Sequence, residues 1–112
     1  MNFTRTTSSK YHAKRTEVDG IKFASKKEAK RYQELKILQE NGVITNLRLQ
    51  VPFILFEKSE YGRVIKYIAD FVYYDLNEHS EIVEDSKGFR TDVYKLKKRM
   101  MGEKYGIKIK ET

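Results

Sequence analysis

The sequence predicts an α/β domain with a mixed four-stranded sheet, in the order α-β-β-β-α-β after a small hairpin. Three observations predict it. Two segments carry apolar residues at helical spacing, open at a capping residue and close at a glycine: 25–42 and 91–106. Between them lie three strand-like runs joined by turns. A last short run alternates isoleucine with lysine, so the second helix serves as a crossover to a fourth strand beside the three-stranded meander.

A chain of 112 residues is one domain by size. Residues 1–15 read as a flexible basic arm and 16–112 as the domain, with no internal repeat. Lysine and arginine number 23 against 16 acids, for a net charge of +7 and a pI near 9.5. That balance favours a polyanionic partner, nucleic acid above all. Cysteine is absent, so disulfides and thiolate metal sites are excluded. No apolar run approaches the roughly 18 residues of a membrane span, and the N-terminus lacks the apolar core of a signal peptide. A cytoplasmic protein is therefore expected.

In chain order, Asp19-Gly20 between two short β-prone runs signals a tight type I′ hairpin. Ser25-Lys26-Lys27-Glu28 is a capping box, opening a helix that runs to about Glu40 and ends at Asn41-Gly42. Its apolar positions, Ala29, Tyr32, Leu35 and Leu38, centre near the direction of Glu28, so Glu28 is aimed at the body of the protein. Leu47, Leu49, Val51, Phe53 and Leu55 alternate with mainly polar neighbours over a strand from about 46 to 57. Pro52 within it marks an edge or a bulge. Residues 64–74 form a strongly apolar strand interrupted by one acid, Asp70, which alternation puts on the face of Ile68 and Val72. A turn leads to 81–87, an apolar run ending in Glu84-Asp85-Ser86-Lys87 before Gly88. Thr91 caps a second helix, about Asp92 to Tyr105, with Val93, Leu96, Met100 and Tyr105 as its inward stripe.

Three carboxylates sit where a carboxylate is costly: Glu28 on an apolar helix face, Asp70 inside an apolar strand, and Asp85 at the end of the neighbouring strand. Alternation puts Asp85 beside Lys87 and turns Glu84 and Ser86 away. A hard divalent ion complements such oxygen ligands. Asp70, Asp85 and the Ser86 carbonyl would hold Mg²⁺ or Mn²⁺, with Glu28 completing the shell and Lys87 orienting water or stabilising the phosphorane. Glu84 replaces Asp85 if the strand bulges. Each residue also has a structural reading: Glu28 as a capping-box acid, Asp70 as an ion-pair partner, Asp85 and Lys87 as a salt bridge. The basic residues Lys10, Lys14, Arg15, Arg90, Lys95, Lys97 and Lys98 are candidates for phosphate contacts. His12 and His79 lack ligand spacing and read as surface residues.

The order Glu28, Asp70, Asp85-Ser86-Lys87 on this frame resembles the PD-(D/E)XK nuclease superfamily. The wider phrasing is similar to a small family of phage and prophage proteins within it. It spans Lys10-Tyr11-His12-Ala13-Lys14, Val18-Asp19-Gly20-Ile21, Phe23 to Leu35, Leu49 to Phe53, Tyr67-Ile68-Ala69-Asp70-Phe71 and Val83 to Lys97. Ala69 stands where the superfamily pattern has proline, and Asp85 where glutamate is more frequent. The resemblance implies a restriction-endonuclease-like core and a Mg²⁺- or Mn²⁺-dependent DNA endonuclease of the Holliday-junction-resolving kind. It further implies a homodimer acting in phage or prophage DNA recombination or replication inside a bacterial host, with no nucleotide cofactor. The alternative is a catalytically inactive nucleic-acid-binding module on the same fold, or a basic RNA-binding or assembly protein whose acids are structural.

Overall fold

The structure is a computed structural model that describes residues 15–86 and 89–112. Lys87 and the basic arm up to Lys14, including Lys10, lie outside the described residues. A β-hairpin, β1 (Thr16–Val18) and β2 (Ile21–Phe23), precedes helix α1 (Lys26–Glu40). Strands β3 (Ile44–Phe56), β4 (Ile65–Asp75) and β5 (Ser80–Asp85) follow, then α2 (Asp92–Tyr105) and β6 (Lys110–Glu111). The four-stranded sheet runs β3-β4-β5-β6, antiparallel except for the parallel β5–β6 pair. The mixed α/β architecture is the one the sequence predicts, and Pro52 lies on the edge strand β3, where a missing N–H is tolerated.

Local chemistry sets the element boundaries. Asp19 and Gly20 both adopt positive φ (55° and 76°), as a type I′ turn requires. The Asp19 carboxylate then accepts from the Tyr32 hydroxyl at 3.1 Å and the Lys36 ammonium at 2.7 Å, which seats the hairpin against α1. Ser25 caps α1 by accepting from the Glu28 N–H at 3.1 Å, and Gly42 leaves the helix with φ of 75°. Thr91 caps α2 in the same way through the Tyr94 N–H.

Two cores hold the layers. Ala29, Tyr32 and Leu35 of α1 pack with Phe23, Ile44, Phe71 and Tyr73, joined by Leu47, Leu49 and Ile82. Tyr94 and Met101 of α2 pack with Leu55, Tyr67, Ala69, Val72, Val83 and Ile109, joined by Val51 and Phe53. The odd-numbered apolar residues of β3 are thus split between the two cores, although simple alternation assigns them to one face. The same exchange occurs in β4, where Ala69 belongs to the α2 core and Phe71 to the α1 core. Both strands turn over at one level, between the Val51–Ala69 and Leu49–Phe71 pairs. Gln50, at that level, has a φ of 53°, the left-handed conformation that reverses side-chain alternation. Val72 accordingly does not share a face with Ile68.

The inward stripe of α2 is Tyr94 and Met101, one position on from the expected Val93 and Met100. Val93 and Leu96 are 62% and 60% exposed. The shift follows from the Tyr94 hydroxyl, which donates to Glu111 at 2.7 Å and ties α2 to β6. Arg90 and Lys98 approach the same carboxylate at 3.1 and 3.2 Å. With Tyr94 as the leading cause, these donors hold the Glu111 pKa down at about 2. No described helix is long and apolar enough to cross a membrane.

Glu84 and Asp85 lie back to back on β5, and both are fully buried. Arg31 of α1 forks onto Glu84, Nε to Oε1 at 2.5 Å and Nη2 to Oε2 at 3.0 Å, and Tyr73 donates its hydroxyl to Oε2 at 2.5 Å. On the other side Tyr67 donates to Asp85 Oδ2 at 2.5 Å. The Glu84 hydrogen bond raises the Arg31 pKa further, and burial, reinforced by the carboxylate partners, raises those of Tyr67 and Tyr73.

These ties can be checked by stability. Arg31→Met leaves the Glu84 charge buried without its cation and should cost about 3–5 kcal/mol in urea unfolding, whereas adding Glu84→Met to it should recover part of that loss. Glu111, depressed in the folded state, stabilises fully above the ordinary glutamate range, and its contribution is lost as pH falls from about 4.5 through about 2. A melting-temperature profile of Glu111→Gln should therefore be flatter than wild type over that window.

Candidate active site

An open hollow of about 360 Å³ is lined by Lys22, Ala24, Ser25, Glu28, Gln50, Asp70 and Ser86. The acids and their neighbours arrive from different places in the fold. Glu28 comes from the first turn of α1, fixed by the Ser25 cap, and is only 7% exposed. Asp70 comes from the turnover level of β4, Gln50 from the matching level of β3, and Ser86 from the residue after β5. The Gln50 amide nitrogen donates to Glu28 Oε2 at 3.1 Å and reaches Asp70 Oδ1 at 3.5 Å. The Ser86 backbone N–H donates to the other Asp70 oxygen, Oδ2, at 2.8 Å.

Two carboxylates from separate elements are thus held close enough for one neutral amide group to reach both. Carboxylate, amide and hydroxyl oxygens of Glu28, Asp70, Gln50, Ser25 and Ser86 line the hollow, and oxygens are the donors that a hard cation takes. Among the described lining residues the basic one is Lys22.

Three of the residues that the sequence singles out meet here: Glu28, Asp70 and Ser86. Asp85 does not line the hollow. Its carboxylate lies beneath, hydrogen-bonded to Tyr67 within the α2 core. The register brings Asp70 and Asp85 to the same level, one step beyond the Phe71–Glu84 pair, where β4 exchanges faces and β5 keeps its alternation from Ile82 to Asp85. Glu84, the substitute for Asp85, is bound by Arg31 and Tyr73 and does not line the hollow either. Ser86, expected to point away, is the β5-end residue that reaches it. Among the described residues no three His, Cys, Asp or Glu side chains group as a metal site. Lys87 follows Ser86 directly but lies outside the described residues.

The basic candidates divide as well. Arg90 and Lys98 share the single carboxylate of Glu111, which offsets one of their two charges. Lys95 is exposed, Lys97 is half-buried, and Arg15 is exposed ahead of β1. Lys95 lines a separate groove of about 330 Å³ with Arg99, Lys108 and Lys98.

Nothing in the sequence singles out Gln50. Its polar side chain fits the outward phase of an alternating strand, and only the pairing of β3 with β4 puts it between Glu28 and Asp70. Gln50→Glu would add a third carboxylate there. Its melting temperature should fall below that of a Gln50→Met control at pH 7, and the gap should close between about pH 6 and 4 as one carboxyl takes up a proton. A gap independent of pH would show that the two acids do not interact through this position.

No curated protein and no solved structure matches the chain. A family model described as "Protein of unknown function (DUF1064)" matches residues 8–112, a span that includes the described helices and strands and every residue lining the hollow. The chain belongs to that family.

Proposed function

We propose that the protein is a divalent-metal-dependent DNA endonuclease of the PD-(D/E)XK kind, selective for branched or junction DNA in phage or prophage recombination or replication. The observation that carries this reading is the meeting of Glu28 and Asp70 with the Ser86 backbone in one open hollow, on a mixed sheet whose strand ends there.

The donor set fits the metal. Mg²⁺ takes hard oxygen ligands in near-octahedral geometry and typically uses one or two carboxylates, keeping several waters for exchange with substrate phosphate. Glu28 and Asp70 would hold it, with Ser86 alongside. When bound, the ion supplies polarisation of the phosphate and a bound water of lowered pKa. The chain's own residues do the rest. Gln50 spaces the two carboxylates, and the Ser86 N–H fixes the Asp70 carboxyl in one orientation. Lys22 on the rim attracts the phosphodiester, and Lys87, next to Ser86, is assigned to orienting water and stabilising the phosphorane. Asp85 becomes an anchor of the strand end rather than a ligand. Two nicks are needed to resolve a junction, which suits a homodimer.

A second reading is a nucleic-acid-binding module without cleavage. It is favoured by one observation, the burial of Asp85 away from the hollow, which leaves two carboxylates where a fuller set was expected.

The two are separated by incubating purified protein with four-way junction, flap and single-stranded DNA in Mg²⁺ and in Mn²⁺. Cleavage should fall by about 10²–10⁴-fold in Asp70→Asn, Glu28→Gln and Lys87→Ala, with melting temperatures near wild type. A capping box accepts glutamine as readily as glutamate, so the loss in Glu28→Gln reads the carboxylate and not the cap. Intact substrates in every condition, with binding retained, would favour the second reading.

A further inference from the structure

Helix α1 shows a second face beside Glu28. Lys27, Lys30, Arg31 and Glu34 stand at i, i+3, i+4 and i+7, one stripe of the helix, and line a cleft of about 210 Å³ together with Ser86 and Thr112. Ser86 lines both this cleft and the acidic hollow, so the two are contiguous. The acid on the stripe, Glu34, accepts from Arg31 at 3.0 Å, and Arg31 in turn forks onto buried Glu84. Among the described residues the exposed cations lining this cleft are Lys27 and Lys30. Cations in the opening turns of a helix oppose its dipole, so their placement costs the helix a little stability.

We infer that this cleft is a phosphate subsite: it holds a backbone phosphate of a nucleic-acid strand next to the one that enters the hollow. The inference takes its place along the substrate from the nuclease reading of the hollow. An acidic centre repels a phosphodiester unless cations flank it, and here they do, Lys22 on one side and Lys27 with Lys30 on the other. Contacts of this sort fix register without reading sequence, which agrees with recognition by DNA shape. Ser86, at the boundary, would lie under the strand between two consecutive phosphates.

The test measures binding in the absence of metal, so that it does not depend on cleavage. Full-length protein in EDTA is titrated with fluorescent single-stranded and four-way-junction DNA over a range of NaCl concentrations. Lys27→Ala/Lys30→Ala is compared with Lys58→Ala/Lys66→Ala, a pair of exposed lysines outside the cleft and the hollow. Alanine at solvent-facing helix positions does not weaken the helix, and thermal melts verify the fold. Removing a lysine that neutralises one phosphate flattens the plot of log affinity against log salt by about 0.7–0.9. The cleft pair, which shares one phosphate, should flatten the slope by about 0.7–0.9, the control pair by much less, and Lys27→Arg/Lys30→Arg should keep it. Equal effects of the two alanine pairs, or wild-type protein that binds neither DNA, would overturn the subsite. A parallel Mn²⁺ cleavage assay separates the two ideas. Cleft-dependent binding without cleavage keeps the subsite and removes the nuclease. Cleavage with an unchanged salt slope in the cleft pair does the reverse.

Discussion

Everything in the sheet is positioned by the paired burial of Glu84 and Asp85. Consecutive strand residues point to opposite faces, so two adjacent acids at the end of β5 commit a carboxylate to each layer. Both have no exposure, and a buried carboxylate is tolerated only with partners. Arg31 and Tyr73 meet Glu84 from the α1 side, and Tyr67 meets Asp85 from the α2 side. The strand end is thus clamped between the layers. Ser86 is the first residue past the clamp, and its N–H can be aimed at Asp70 because the two residues before it are held in place. Desolvating these acids costs stability that an apolar pair would not, and what it yields is a strand terminus of fixed height and orientation.

The second constraint is the turnover of β3 and β4 at Gln50 and Asp70. A regular sheet this long, covered by one helix on each face, would give each strand one core-facing row per side. Here α1 covers one end of the hairpin and α2 the other, so the rows exchange between them. In β3 the exchange comes at Gln50, which takes a positive φ, and in β4 it comes at Asp70 without one. At that level neither helix sits squarely over the sheet, and an opening is left. Polar side chains are tolerated there, and Gln50, Asp70 and Glu28 occupy it. The hollow is a consequence of the way two helices share one long hairpin.

The same two constraints decide what is legible in the sequence. The hairpin turn, both helix caps, the strand order and the inward aim of Glu28 follow from contacts within a few residues, and Asp19-Gly20, Ser25, Gly42 and Thr91 announce them. Asp70 stands out because a lone acid in an apolar run has no local excuse. The change of face at Asp70 is hidden, because it is made where β4 pairs with β3 beside Gln50 and not by any neighbour in sequence. The stripe of α2 is displaced by one position from its pattern because Val93 and Leu96 outrank Tyr94 in hydrophobicity, while the packing is set by a hydroxyl that reaches Glu111. Gln50 itself carries no local signal.

A chain with a net charge of +7 has no need of an acidic opening for solubility, and this one brings Glu28 and Asp70 within reach of a single amide. Two acids that serve the fold are matched with cations here, Glu84 with Arg31 and Glu111 with Arg90 and Lys98. Asp70 is treated differently. Its two oxygens meet the Gln50 amide and the Ser86 N–H, donors that orient a carboxylate without cancelling its charge, and the same amide reaches Glu28. Asp70 thus meets neutral donors where Glu84 and Glu111 meet cations. Among the described residues Lys22 lines this hollow, Lys27 and Lys30 line the neighbouring cleft, and Ser86 is common to both. On the proposed reading Ser86 would stand between the metal ion and the path of the phosphodiester backbone, a separation that suits metal-assisted hydrolysis.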